Sequence, residues 1–179
     1  MNIPNALTLL RIFLVPLFLI AVIYGELALA LGVFLVAAFT DLLDGFFARR
    51  LGQETRLGLY LDPAADKLLI ITCYLALSFF GFLPPWLAVV VFFKDLFMVI
   101  GVALLGVLGA QLTVFPTLWG KQTTFLQLLT LGTVLGHQVF GAGGVLLDPL
   151  FALTGILTAF SGGHYIVKRM RLLPEEAWR

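Results

Sequence analysis

The sequence predicts an all-α integral membrane protein of six transmembrane helices with both termini cytoplasmic. Three observations carry this. Of 179 residues, 61% are hydrophobic and 12% charged, with 17 Phe and a mean hydropathy of +1.07, which excludes an ordinary soluble domain with a polar surface. Six apolar stretches reach the length of roughly 20 residues that a helix needs to cross the hydrocarbon core. Finally, Lys and Arg collect at alternate ends of those stretches, as the positive-inside rule requires.

The first span, about Leu7 to Tyr24, carries Arg11 in its first turn and Pro16 inside. No small-residue cleavage site closes a short apolar region there, so a retained helix is expected rather than a signal peptide. Further spans are expected at Ala28 to Ala48, Leu57 to Phe80, Pro84 to Gly109, Trp119 to Val139 and Val145 to Val167. The breaks carry turn chemistry: "GEL" at Gly25, "FGFLPP" before Trp86 and "FGAGGVLLDP" before Leu150. Little chain remains for anything else, so residues 1–179 read as one transmembrane catalytic domain.

Six spans put Arg11, Arg49, Arg50, Arg56, Lys121, Lys168, Arg169, Arg171 and Arg179 on one face, while the opposite loops, around Glu26, Phe82 and Asp148, hold no Lys or Arg. Positive charge beside an anionic leaflet suits work on lipid head groups at the cytoplasmic face, the inner membrane if the source is bacterial. No nucleic-acid partner is expected. The single Cys73 lies mid-span as a small core hydrophobe.

Against this apolar background, the stretch "DLLDGFFARRLGQETRLGLYLDPAAD" concentrates four aspartates and three arginines. Ionised carboxylates at a membrane helix end cost several kcal/mol unless cations or water meet them. Asp41 and Asp44, at i, i+3, close the second span, and Asp62 and Asp66, at i, i+4, open the third. Antiparallel helices joined by a short loop can turn both pairs toward one spot. Gly45, Ala48 and Gly58 are small residues beside them that let a ligand approach backbone. Carboxylates without Cys or a nearby His suit a hard dication, Mg²⁺ or Mn²⁺, better than zinc. Four Asp could hold two ions, leaving Arg49 to receive a phosphate or diphosphate, an arrangement suited to metal-assisted phosphoryl transfer. Two blander readings compete: an interfacial ion network with Arg49, Arg50, Arg56 and Lys67, and a divalent-cation transporter. Transport should place acids near mid-membrane, and these lie at one face.

The same stretch resembles the signature of the CDP-alcohol phosphotransferase family: Asp41, Asp44, Gly45, Ala48, Arg49, Gly58, Asp62 and Asp66 stand at the family spacing. That resemblance implies a six-span fold, commonly a homodimer, that transfers the phosphate-bearing group of a CDP-linked lipid onto an alcohol and releases CMP. It implies the four Asp as metal ligands, with Asp66 also a general base, and Gly45, Ala48, Arg49 and Gly58 as the lining of the CDP pocket. No Ser or Cys stands beside a His as a nucleophile, so direct attack by the acceptor is expected.

The start "NIPNALTLLR" looks like the N-terminus of the phosphatidylglycerophosphate synthase and eukaryotic-type cardiolipin synthase branch, with Asn5, Thr8 and Arg11 as matching polar residues. A capped interfacial helix would explain the same residues. Lys121, in "PTLWGKQTTFLQ", is a candidate anchor for an acceptor phosphate or a positive-inside residue. In "FFKDLFMV", Lys94 and Asp95 depart from the Arg–Glu usual in phosphatidylglycerophosphate synthases and approach the cardiolipin synthase pattern; Lys94 could bind the acceptor or pair structurally with Asp95. The expectation is transfer from CDP-diacylglycerol to glycerol 3-phosphate, with phosphatidylglycerol as the second candidate acceptor. A prenyltransferase would carry two similar acidic motifs, which these pairs fit only loosely. His164 is expected to pack between helices rather than contact substrate, His137 lies too far from the acids to share their chemistry, and Trp86 and Trp119 read as an aromatic belt.

Overall fold

The computed structural model describes the backbone of residues 3–51, 58–107 and 118–170, and the side chains of 7–41, 67–100 and 119–165. Among the described residues there are six long helices: α1 (Ile3–Ile23), α2 (Leu27–Leu51), α3 (Gly58–Phe79), α4 (Pro85–Val107), α5 (Leu118–Phe140) and α6 (Leu147–Met170). A short 3-10 turn, Gly144–Leu146, leads into α6. Each of the six expected stretches falls on one of these helices, with Leu57, Leu108 and Gly109 outside the described residues. α1 continues through Pro16 although proline removes one backbone donor.

The joints after α1 and α3 share one geometry. Gly25 and Gly81 adopt φ of 75° and 79°, the left-handed region where a Cβ is strained. Glu26 N–H donates to Ala21 O (2.9 Å) and Gly25 N–H to Val22 O (3.1 Å). Phe82 N–H donates to Leu77 O (2.8 Å) and Gly81 N–H to Ser78 O (3.1 Å). These paired bonds are Schellman caps, which satisfy helix-end carbonyls and reverse the chain within a few residues. Phe82 completes its cap by packing against the core.

The helices close into a ring: α1 packs on α2, α2 on α5, α5 on α6, α6 on α4, α4 on α3, and α3 back on α1. Helices adjacent in sequence are therefore not always adjacent in space. Among the described residues, α2 and α3 share no extensive packing, and α1 lies against both.

Phe18, Val22, Phe34, Cys73, Leu77, Leu87, Val91, Leu131 and Leu135 form the centre of the apolar core. Between α5 and α6 the core turns polar. Thr130 and Thr154 hydroxyls lie 2.7 Å apart, Gln127 Nε2 donates to Thr158 Oγ1 (3.2 Å), and Tyr74 OH donates to Gln127 O (3.2 Å). Glycines set the α4–α6 approach. A Cβ on Gly155 would stand 2.5 Å from the Trp86 ring, and one on Gly162 would stand 3.2 Å from Lys94 Cγ. Trp86 thus fills a notch on α6 as well as standing at a helix end. Gly132 faces Phe34 of α2, within the chain rather than on an open surface.

The outside inverts a soluble protein. Phe13, Phe39, Phe79, Phe125, Ile156 and Phe160 are exposed, while Arg11, Lys94, Asp95 and a set of threonines are buried. Among the described residues, one helical stretch, Gly144–Tyr165, is long and apolar enough by itself to cross a membrane; Leu7–Ile23, Leu27–Asp41 and Lys67–Phe79 are shorter apolar helices.

Candidate active site

Asp41 is the one signature aspartate whose side chain lies in the described part. It stands on α2, about one-third exposed at 34%, and its Oδ1 meets Arg11 Nη2 of α1 at 3.3 Å. Arg11 itself is fully buried. A guanidinium inside an apolar helix is costly unless a carboxylate compensates it, and Asp41 does so from the neighbouring helix. Thr8 lies one turn earlier on α1 and is also buried. Of the N-terminal residues singled out in the sequence, Arg11 therefore meets the acidic stretch at Asp41, with Thr8 buried on the same helix one turn before it. One residue before it, Thr40 Oγ1 donates back to Ala37 O at 2.8 Å.

Asp44, Gly45, Ala48 and Arg49 occupy helical positions of α2, and Gly58, Asp62 and Asp66 helical positions of α3. The spacings i, i+3 and i, i+4 are thus realised on helices, which keeps each pair on one face. Their side chains, like that of Asn5, lie outside the described residues.

A second ionic group stands at the start of the described part of α3. Lys67, next to Asp66, donates through Nζ to Asp95 Oδ1 of α4. Lys94 Nζ lies 2.9 Å from the same oxygen. Side-chain exposure falls from 25% at Lys67 to 7% at Lys94 and 1% at Asp95, so the carboxylate is the buried hub of two cations. The Lys94–Asp95 pairing is therefore real, and α6 accommodates it by placing Gly162 against the Lys94 stem. Lys67 as the third member was not identified from sequence as a site residue. Its signal was the lysine directly after Asp66, at the start of a long apolar run that carries no further charge.

Lys121 lies exposed in the first turn of α5. Nearby, the Trp119 and Phe160 rings meet edge to face with centroids 5.2 Å apart, and the exposed His164 ring stacks on Phe160 at 6.4 Å. His164 thus packs on α6 itself. His137 Nδ1 lies 3.1 Å from Ala142 O, at the opposite end of α5 from Lys121.

Among the described residues no three metal-ligating side chains converge. The donor chemistry nevertheless suits a hard dication: Asp41 is partly open, and three further aspartates occupy helical positions of α2 and α3, with no Cys or His in the stretch from 41 to 66.

A family model for CDP-alcohol phosphatidyltransferase matches residues 1–164. The chain is 34% identical over 177 residues to a "Probable phosphatidylglycerophosphate synthase" of Mycobacterium tuberculosis, covering 95% of this chain and 82% of that protein. It is 34% identical over 180 residues to the "CDP-diacylglycerol--glycerol-3-phosphate 3-phosphatidyltransferase" of Aquifex aeolicus, covering 98% of this chain and 100% of that one. A "Probable cardiolipin synthase (CMP-forming)" of Drosophila melanogaster is also 34% identical, over 188 residues covering 94% of this chain and 58% of the fly protein.

Proposed function

Because this chain belongs to the CDP-alcohol phosphatidyltransferase family, we propose that it transfers the phosphatidyl group of CDP-diacylglycerol to glycerol 3-phosphate and releases CMP. The observation that supports this acceptor most directly is the end-to-end similarity to the Aquifex protein, whose name states that reaction.

Asp41, Asp44, Asp62 and Asp66 would hold Mg²⁺ or Mn²⁺, two ions by charge count. Bound there, the ions would neutralise charge on the diphosphate and on the departing CMP oxygen. The protein's own residues do the rest. Arg49 contacts the diphosphate, while Gly45, Ala48 and Gly58 leave space for the nucleotide. Arg11 holds Asp41 from behind, fixing one carboxylate in place. The acceptor hydroxyl oxygen attacks the lipid-side phosphorus, its proton passes to Asp66, and the phosphorus–oxygen bond to CMP breaks. Asp66 is a weaker base if it is also a ligand, so the ligand role takes precedence.

A second acceptor, phosphatidylglycerol, is favoured by one observation: Lys94, a candidate for gripping an acceptor phosphate, is already engaged by Asp95. A lipid acceptor entering from the bilayer needs fewer free cations.

The six helices are read as spans with both ends, and the site, at the cytoplasmic face. The one-sided distribution of Lys and Arg and the apolar exterior support this. The homodimer rests on the family resemblance alone and is measured by the mass of the protein–detergent complex.

The decisive assay supplies purified protein with CDP-diacylglycerol, Mg²⁺ and each acceptor in turn, following CMP and the lipid product. CMP and phosphatidylglycerophosphate should form with glycerol 3-phosphate. Product with phosphatidylglycerol alone would reverse the acceptor, and no CMP with either would refute both readings. Asp62→Asn should lower turnover by about 100-fold or more, the scale expected when a metal site loses a ligand or its support. Inversion of configuration at the transferred phosphorus is expected for direct attack; retention would indicate a covalent intermediate.

A further inference from the structure

The acid-bearing helix α3 is tied to α4 by an ionic triad, centred on the buried Asp95, that the transfer chemistry above does not use. Asp95 Oδ1 accepts from both Lys67 and Lys94, and Asp95 Oδ2 has no hydrogen-bond partner among the described residues. A half-satisfied carboxylate in a span is costly where apolar packing would join the helices as well, so stability alone does not account for it. Lys94 neighbours Asp95 on the same helix, so that pairing joins nothing to anything. Of the two lysines, Lys67 is the one that extends the ionic contact from α4 to α3, beside the apolar packing of the two helices.

Its position gives the contact its meaning. Lys67 directly follows Asp66, so about 1.5 Å of rise and 100° of turn separate the tied residue from the nearest acid. A helix is stiff over one turn. Whatever fixes the rotation and depth of α3 at Lys67 also fixes the angle at which positions 62 and 66 are presented. On the other acid-bearing helix, Arg11 of α1 secures Asp41 comparably.

We propose that Asp95 is a positioning residue: through Lys67 it sets the rotation and depth of α3, and so the presentation of Asp62 and Asp66 toward the acids of α2. The inference rests on the reading of those aspartates as metal ligands. It adds a residue of α4 to the site's support without placing Asp95 in contact with substrate.

The test reads metal binding rather than turnover, using Mn²⁺ followed by electron paramagnetic resonance on the purified full-length protein in lipid nanodiscs. Lys67→Met leaves Asp95 paired with Lys94, so the buried charge stays compensated and circular dichroism should report an intact fold. It should weaken Mn²⁺ binding about 10-fold, the lower end for lost support around a metal site. Lys67→Arg, which can restore the tie, should bind within about threefold of wild type on the same scale. Lys94→Met leaves the Lys67–Asp95 tie and should likewise hold Mn²⁺ within about threefold, whatever it does to acceptor use. Unchanged binding in Lys67→Met would overturn the proposal. So would equal losses in Lys67→Met and Lys94→Met, which would make the triad a general packing element. If wild type itself bound no Mn²⁺, the aspartate metal site would fall first, and the tie with it.

Discussion

Arg11 is fully buried, and its partner Asp41 is one-third exposed. The asymmetry separates two tasks: the arginine is spent on holding the carboxylate, while the carboxylate keeps an open side for a ligand. Arg11→Met retains much of the stem's packing but removes the charge. It should destabilise the protein by about 2 kcal/mol, less than a fully buried pair because water reaches Asp41. A drop of several degrees in Tm, with a loss of turnover that Arg11→Lys partly restores, checks this. At this scale the sequence was informative where residues lie close along the chain, as in the aspartate spacing. The Lys67–Asp95 contact was not legible, because it joins residues 28 positions apart and depends on how two helices are rotated against each other.

Each expected span falls on a helix among the described residues, because an apolar run of helical length can be read directly from the sequence. Which helices touch was much less legible. Lipid-facing and helix-facing surfaces are both apolar in a membrane, so the periodicity that marks a core face in water carries little signal here. The contacts are instead written in small and polar residues. Gly155 admits Trp86, and Thr130 meets Thr154. These two devices should differ in strength. Interhelical hydrogen bonds in membranes average about 0.6 kcal/mol, so Thr154→Val should cost little. Gly155→Leu drives side-chain atoms into an aromatic ring already within 2.5 Å of a would-be Cβ and should cost about 1–3 kcal/mol. Thermal unfolding of both variants in one detergent measures the difference; a larger loss in Thr154→Val would make the polar seam the principal clamp.

At the scale of the whole molecule, a ring of helices presents phenylalanines outward and buries Arg11, Lys94 and Asp95. Ring closure was not foreseeable from sequence, since it depends on α1 lying against both α2 and α3. Sidedness is an expectation carried by counts of Lys and Arg rather than by packing. It makes a direct expectation for vesicles of known orientation. A cysteine at Val145, 93% exposed before α6, should react with a membrane-impermeant maleimide from the non-cytoplasmic side. A cysteine at Lys121 should react only from the other. The native Cys73 is fully buried and should stay silent, so it need not be removed first. Labelling of both sites from one side would contradict an odd number of crossings between them.

The adjacency of Lys94 and Asp95 also bears on biogenesis. A helix leaving the translocon with a lone lysine near its middle pays about 3 kcal/mol to enter lipid. Because the counterion is the very next residue, α4 can partition as an electrically neutral rod before α6 has been synthesised. Asp95→Asn should therefore lower the insertion efficiency of α4 in a glycosylation-mapping experiment, even in a truncated nascent chain that ends before α5.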